Sequence, residues 1–257
     1  MKFPRLNPFY QASLILVAAA VILVAVAILT DRRDLTSAAL VIAALVCLIT
    51  GIFLALLSSS EPLDSRYMSL LPVQGCINLC SVCADLGISG NACMLPAGKN
   101  GRTRTMQFIP VAAYNGSPAE GDSFVTGQDT AGLVTVPNGE PLFREIRERD
   151  HLVIPHGLAD TLVVVQEVAV GVLEIADRVT AEADGAVITV RMEGYRLIGG
   201  CRAVAAESPR CCTANPCPVC SLFACLLAEG TGSVVQVERC SPEADVPSVT
   251  AVFTLFP

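Results

Sequence analysis

The sequence predicts an N-terminal transmembrane helical hairpin followed by an α+β soluble domain with a mostly antiparallel sheet and two or three helices. Three observations support this fold class. Two uncharged apolar runs near the start are each long enough to cross a bilayer. Short strand-like segments separated by turn residues follow them, and a few segments with helical spacing lie among those strands.

The first 58 residues carry the predicted hairpin, with spans at about residues 12–30 and 35–57. The runs 13–30 and 35–57 contain no charged residue, and crossing a hydrocarbon core takes about 20 apolar residues. A cleavable signal peptide is the alternative for the first run, but its apolar core is longer than such peptides usually have. The second run would still anchor the chain, so the lipid bilayer is a predicted partner.

The positive charges around the two runs favour a cytoplasmic domain. Lys2 and Arg5 precede the first run, Arg32 and Arg33 lie between the runs, and Arg66 follows the second. The outer flanks therefore carry more positive charge, particularly with the α-amine included, and positive flanks stay in the cytoplasm. We expect a two-span membrane protein with both termini on the cytoplasmic side.

Composition excludes nucleic acid as a partner. The net charge is −7, tryptophan is absent, and no run of lysine and arginine occurs, whereas nucleic-acid binding needs basic patches. The juxtamembrane residues 58–67, SSSEPLDSRY, are polar and acidic, and residues 59–72 are predicted to be a linker. Residues 73–257 are then the α+β domain, which is large enough for its own core.

The first half of this domain alternates strand and turn patterns. Residues 104–114 predict a strand closed by Pro110, and residues 131–139 predict a second. Residues 140–149 predict a helix that starts near Pro141. Residues 160–175 are rich in β-branched side chains, but their polar positions recur every three to four residues, so we predict a helix there.

The second half predicts a hairpin, a buried helix and two further strands. The hairpin covers residues 178–195, with Asp184 and Gly185 as its two-residue turn. A helix follows with Pro218 at its first position and Gly230 as its C-terminal cap. It has almost no polar face, but about twelve residues cannot span a bilayer, so we expect it to be buried against the sheet.

Twelve cysteines are unusually many for this length, and all but Cys47 fall into two groups. The early group consists of Cys76, Cys80, Cys83 and Cys93, and the late group of Cys201, Cys211, Cys212, Cys217, Cys220, Cys225 and Cys240. Simple packing is the favoured interpretation, because free cysteine behaves as a small hydrophobic residue.

Three functional interpretations of the cysteines are alternatives to packing. The C-x3-C-x2-C spacing from Cys76 to Cys83 matches radical S-adenosylmethionine enzymes, but Val82 replaces the usual aromatic residue and no series of β/α units follows. The C-x2-C pairs Cys80/Cys83 and Cys217/Cys220 suit a zinc or iron–sulfur site, with Cys76 as a further ligand. Alternatively, Cys217 and Cys220 form a dithiol at a helix N-terminus, where the helix dipole favours thiolate.

Four segments give the chain a family resemblance. "FIPVAAY", "AGLVTVPNGEPLFREI", "VLEIADRVTAEADGAVITVRMEG" and "CPVCSLFACLLAEGTGSVVQVE", together with two N-terminal spans, resemble an uncharacterised family of archaeal two-span membrane proteins with a C-terminal domain of unknown function. The resemblance implies a place in the membrane and no activity. The closing segment from Cys217 is also similar to the end of small ligand-binding 4-vinyl reductase domains, which implies a domain that binds a small ligand or metal.

The sequence therefore predicts a membrane-anchored, non-enzymatic domain for interaction or ligand sensing. No P-loop, GxSxG, HExxH or dinucleotide-binding glycine motif occurs. A small ligand or a membrane protein is the expected partner. The alternative is a membrane-tethered zinc, iron–sulfur or dithiol redox protein that uses Cys76, Cys80, Cys83, Cys217 and Cys220.

Overall fold

The chain forms two compact units, Met1–Leu63 and Asp64–Pro257. The computed structural model describes residues 8–30, 35–58, 64–98, 102–115, 123–126 and 131–256.

The first unit is a hairpin of two apolar helices, α1 (Pro8–Thr30) and α2 (Leu35–Ser58). They approach closely where the buried Ser13 hydroxyl donates a 2.8 Å hydrogen bond to the Gly51 carbonyl oxygen. Small residues commonly allow such contact between helices in lipid. Most large side chains on these helices point outward and are exposed. The predicted hairpin is confirmed, and both helices are long and apolar enough to span a membrane.

The second unit is an α+β domain, which confirms the predicted fold class. Its helices are α3 (Ser65–Leu70), α4 (Val73–Asp85), α5 (Glu140–Arg149), α6 (Leu158–Glu167), α7 (Ile198–Glu207), α8 (Cys211–Ala214) and α9 (Pro218–Thr231). Its strands are β1 (Cys93–Leu95), β2 (Met106–Pro110), β3 (Phe124–Val125), β4 (Gly132–Thr135), β5 (Arg178–Asp184), β6 (Val187–Glu193), β7 (Val234–Pro242) and β8 (Ser248–Phe256).

The strands form one antiparallel sheet in the order β3-β4-β2-β1-β7-β8-β6-β5. The main core lies between this sheet and the helices, and α9 is its centre: Leu222, Phe223 and Leu226 are fully buried. A smaller apolar cluster on the other face is built around Phe108 and Tyr114. The helical layer is larger than the two or three helices expected, because α7 and α8 also pack on the sheet and α4 packs on α7 and α8.

Membrane-like composition is not confined to the hairpin. Among the described residues, two further segments are apolar and long enough to cross a bilayer, Ser65–Asp85 and Cys211–Thr231. The second contains α8 and α9 and is 83% buried within the domain, so it is a core segment, as predicted for α9. Ser65–Asp85 is only 22% buried, and its exposed side chains are considered below.

Two turn predictions are wrong by one or two residues. Asp184 pairs with Val187, so the hairpin loop consists of Gly185 and Ala186 rather than Asp184 and Gly185, and Gly185 supplies the positive φ of 59°. The cap of α9 is Gly232, which is left-handed with φ 63°. Gly230 lies inside the helix instead. Glycine is required there because a Cβ would overlap Thr161 Oγ1 on α6.

Two other segments differ from the sequence-based expectation. The helix predicted at 160–175 consists of α6 and a π-helical turn, Val168–Val172, and ends before the strand β5. The predicted linker contains α3, whose first turn is capped by Asp64 Oδ1 accepting a 2.9 Å hydrogen bond from Arg66 N. Linker residues 59–63 lie outside the described residues.

Candidate functional site

Five cysteines from four elements meet where three helices of the helical layer pack against one strand of the sheet. We call them the thiol cluster: Cys201 on α7, Cys212 on α8, Cys217 and Cys220 at the start of α9, and Cys240 on β7. The Sγ atoms of Cys220 and Cys240 are 3.2 Å apart, and both residues are buried. This is hydrogen-bonding contact between two thiols brought together from a helix and the strand behind it.

The other thiols extend this pair into a connected group. The Cys217 thiol interacts with the thiols of Cys201 and Cys220, and the Cys240 thiol interacts with those of Cys201 and Cys212. Each member therefore has at least one thiol neighbour within the cluster. The residue Cys217 is half-buried, whereas the other four are buried, although its thiol is enclosed by the neighbouring thiols.

A buried amide network holds the backbone that enters the cluster. Asn215 is 1% exposed, and its Oδ1 accepts hydrogen bonds from Asn138 Nδ2 at 2.9 Å and from Gln107 Nε2 at 3.3 Å. Its Nδ2 donates to the Cys76 carbonyl oxygen at 3.3 Å. Asn215 therefore ties the approach to α9 to both the sheet and α4, and so fixes where Cys217 lies.

The start of α9 favours negative charge on Cys217. Pro218 occupies the first helical position, as predicted, and Cys217 is the N-cap residue. The thiol groups of Cys201 and Cys220 lower the pKa of Cys217 well below its ordinary value, and the backbone N–H groups of Cys220 and Val219 act in the same direction against the effect of burial.

The neighbours of Cys217 are correspondingly harder to ionise. Interaction with Cys217 raises the pKa of Cys201 and of Cys220, and burial adds to both shifts. Tyr195, which is 2% exposed, lies beside the same thiols, and burial raises the pKa of its phenol. A hydrogen bond from Cys240 lowers the pKa of Cys212 as well, so Cys212 and Cys217 are the two thiols of the cluster that ionise more easily than their neighbours.

The early cysteines of the predicted metal set lie on α4. Cys76, Cys80 and Cys83 are spaced four and three residues apart, so they share a face of the helix. Burial, followed by the charge of Cys217, raises the pKa of Cys76 to about 12. Burial and a thiol contact with Cys211 raise the pKa of Cys80 to about 12. The structure therefore brings α4 towards α8 and the start of α9.

The predicted zinc or iron–sulfur site at Cys76, Cys80, Cys83, Cys217 and Cys220 stays a prediction. Within the ranges that the structure describes, no group of three His, Cys, Asp or Glu side chains has the arrangement of a metal site. The antiparallel sheet agrees with the expectation that no series of β/α units follows the C-x3-C-x2-C motif.

Three members of the thiol cluster were not among the predicted site residues: Cys201, Cys212 and Cys240. The sequence placed them in the late cysteine group, but C-x2-C spacing drew attention only to Cys217 and Cys220. The density of cysteines between residues 201 and 240 was the signal that could have extended the set. Which of them meet depends on how α7, α8 and β7 pack.

Fold and site together define an α+β domain with a buried cluster of thiols, preceded by a helical hairpin that could span a membrane. The chain belongs to the family described as a domain of unknown function, DUF7982, whose model matches residues 7–252. This confirms the expected family of unknown function over nearly the whole chain. The archaeal origin and the likeness to 4-vinyl reductase domains stay predictions. Comparison with curated proteins and with solved structures found no match.

Proposed function

We propose that this chain is a membrane-anchored, non-enzymatic sensing protein whose responsive element is the thiol cluster. The observation that carries the proposal is the 3.2 Å contact between Cys220 and Cys240 inside a connected group of five thiols. Packing alone explains why individual cysteines are buried. It does not explain why five of them contact one another. The proposal joins the predicted sensing role to the dithiol alternative.

The chemistry of the response is a two-electron oxidation by a small hydroperoxide. The Cys217 thiol, at the N-terminus of α9, attacks the peroxide O–O bond, giving a sulfenic acid and releasing the other oxygen as water or alcohol. The Cys220 thiol then displaces the hydroxyl group as water and forms a disulfide with Cys217. Exchange with Cys240 moves the disulfide to Cys220–Cys240 and returns Cys217 as a thiol.

The proposal places the domain on the cytoplasmic side, as the flanking arginines and lysines favour. Disulfides in a reducing cytoplasm are usually transient and are used in catalysis or redox sensing. The partner that reads the signal is a membrane protein or a small ligand.

The test is peroxide titration of the purified full-length protein, with disulfides identified by mass spectrometry of peptides prepared under non-reducing conditions. We expect a Cys220–Cys240 disulfide, lost in Cys240→Ser and retained in Cys225→Ser. Cys225 is a matched control because it is a buried cysteine of the same helix outside the cluster. Failure of peroxide to oxidise the cluster in the folded protein would overturn the proposal. Zinc, or iron with sulfide, near one equivalent in the same sample would favour the metal alternative instead.

A further inference from the structure

The helices α3 and α4 present an exposed apolar surface that nothing in the described domain covers. Its members, which we call the α3–α4 surface, are Tyr67, Met68, Leu70, Leu71, Val82 and Leu86, and each is between 42% and 73% exposed. Isolated exposed hydrophobic residues are common. Four of the six lie in the five-residue stretch 67–71, a local concentration of exposed apolar side chains of the kind that marks an interaction site. Val82 and Leu86 lie further along, at the C-terminal end of α4.

The opposite side of these helices is fixed to the domain. Ser69 is buried at a close approach to Gly200 of α7, where a Cβ would overlap the Ser69 carbonyl oxygen. Cys76 and Cys83 on α4 are 3% and 1% exposed. The segment Ser65–Asp85 therefore has one side in the protein core. Its outer side carries the exposed apolar residues together with the polar Gln74 and Asn78. A segment with one side in the core is not a span surrounded by lipid.

The identity of the occupant follows from the covalent connection to the hairpin. Six residues separate Ser58, the end of α2, from Ser65, the start of α3. Even a fully extended chain of this length spans at most about 25 Å. If α2 crosses a bilayer, the α3–α4 surface begins within that distance of the membrane surface.

The composition of the segment also suits a lipid interface. Between residues 65 and 84 the only charged residue is Arg66, and Asp64 and Asp85 lie at the two ends. A single long cationic side chain can keep its charge in the polar zone beside a lipid interface. Tyr67 is an amphipathic aromatic residue of the type that is enriched at the membrane boundary. A helix that lies in the interface typically buries its apolar face by about 5–10 Å.

We propose that the α3–α4 surface lies on the bilayer, so that the domain is held against the membrane by a monotopic contact as well as by the hairpin. The alternative occupants of such a surface are a membrane protein and a second copy of the chain, and the test distinguishes lipid from a protein occupant. The proposal is independent of the thiol cluster, which it neither requires nor supports.

The test uses the absence of tryptophan from this chain. Leu71→Trp and Val153→Trp place a single fluorophore at positions that are 73% and 82% exposed, in the α3–α4 surface and in the segment between α5 and α6. Each full-length variant is reconstituted into phosphatidylcholine and phosphatidylglycerol vesicles, with or without acyl chains brominated near the headgroup. Phe53→Trp in α2 is the positive control, and only preparations in which it is quenched are compared.

We expect brominated lipid to quench roughly half or more of the Leu71→Trp fluorescence, since a side chain at the interface lies at acyl-chain depth, and to leave Val153→Trp unchanged. Equal emission from the two variants, without quenching, would show that the surface faces water and would overturn the proposal. Blue-shifted emission from Leu71→Trp without quenching by brominated lipid would overturn it in favour of a protein occupant.

Discussion

Replacing Asn215 with alanine tests whether the amide network positions the start of α9. The substitution removes three hydrogen bonds, to Asn138, Gln107 and the Cys76 carbonyl. Asn138 keeps its 2.9 Å bond to the Pro216 carbonyl oxygen. Gln107 is 1% exposed, and its Oε1 already lacks a partner among the described residues. Loss of Asn215 would leave the Gln107 amide nitrogen without its hydrogen-bond acceptor as well.

The expected loss of stability follows from these contacts. Leaving a buried donor or acceptor without a partner costs about 1–3 kcal/mol, and the small cavity at position 215 adds to this. We therefore expect Asn215→Ala to lower the free energy of unfolding by about 2–4 kcal/mol. The measurement is denaturant unfolding of the full-length protein in detergent, followed by circular dichroism.

Asn78→Ala is the matched control for this substitution. Asn78 also accepts a side-chain hydrogen bond, from Gln74 Nε2 at 2.7 Å, but both residues are on the exposed face of α4. Its replacement should change stability by less than about 0.5 kcal/mol. Equal effects of the two substitutions, or a loss below about 1 kcal/mol for Asn215→Ala, would refute the argument that the buried network holds this region together.

Two further predictions concern packing and pH. Gly230→Ala should destabilise the domain by about 1–3 kcal/mol, because the new Cβ overlaps Thr161 Oγ1. Gly75 is a helical glycine whose added Cβ would meet nothing within 4 Å, so Gly75→Ala should instead stabilise the domain by about 0.5–1 kcal/mol. A loss of stability in both variants would contradict this reasoning. Because the pKa of Cys76 rises to about 12 on folding, the unfolded chain releases this proton first. Stability should therefore fall above about pH 9 by up to about 1.4 kcal/mol per pH unit for this thiol, and Cys76→Ala should reduce that slope in unfolding curves measured from pH 8 to 11. An unchanged slope would show that Cys76 ionises normally.

The parts of the fold that sequence could predict are those with a strong local pattern. The hairpin follows from uncharged runs, and β7 and β8 follow from apolar segments separated by turn residues. The position of Pro218 follows from the fit of proline to the first turn of a helix. Each of these signals lies within the element that it predicts, so tertiary contacts are not needed to read it.

The parts that sequence missed depend on contacts across the chain. Strand β1 has only three residues, and it is a strand because β2 and β7 flank it. Gly230 and Gly232 are both plausible caps, and only the close approach of Thr161 requires glycine at the first of them. The thiol cluster is a case of the same kind, because no spacing rule states that Cys240 on a strand will meet Cys220 on a helix.

The position of the thiol cluster explains how oxidation could alter the whole helical layer. Formation of a disulfide must bring Cys220 and Cys240 closer than their present 3.2 Å. Cys220 lies in the first turn of α9, most of whose residues are buried, and Cys240 lies on β7. Since protein cores are close-packed and transmit small displacements, movement at this point is passed to the elements that share contacts with the start of α9. Asn215 extends these contacts to α4 through the Cys76 carbonyl, so we expect the proposed Cys220–Cys240 disulfide to shift α4 as well as α9.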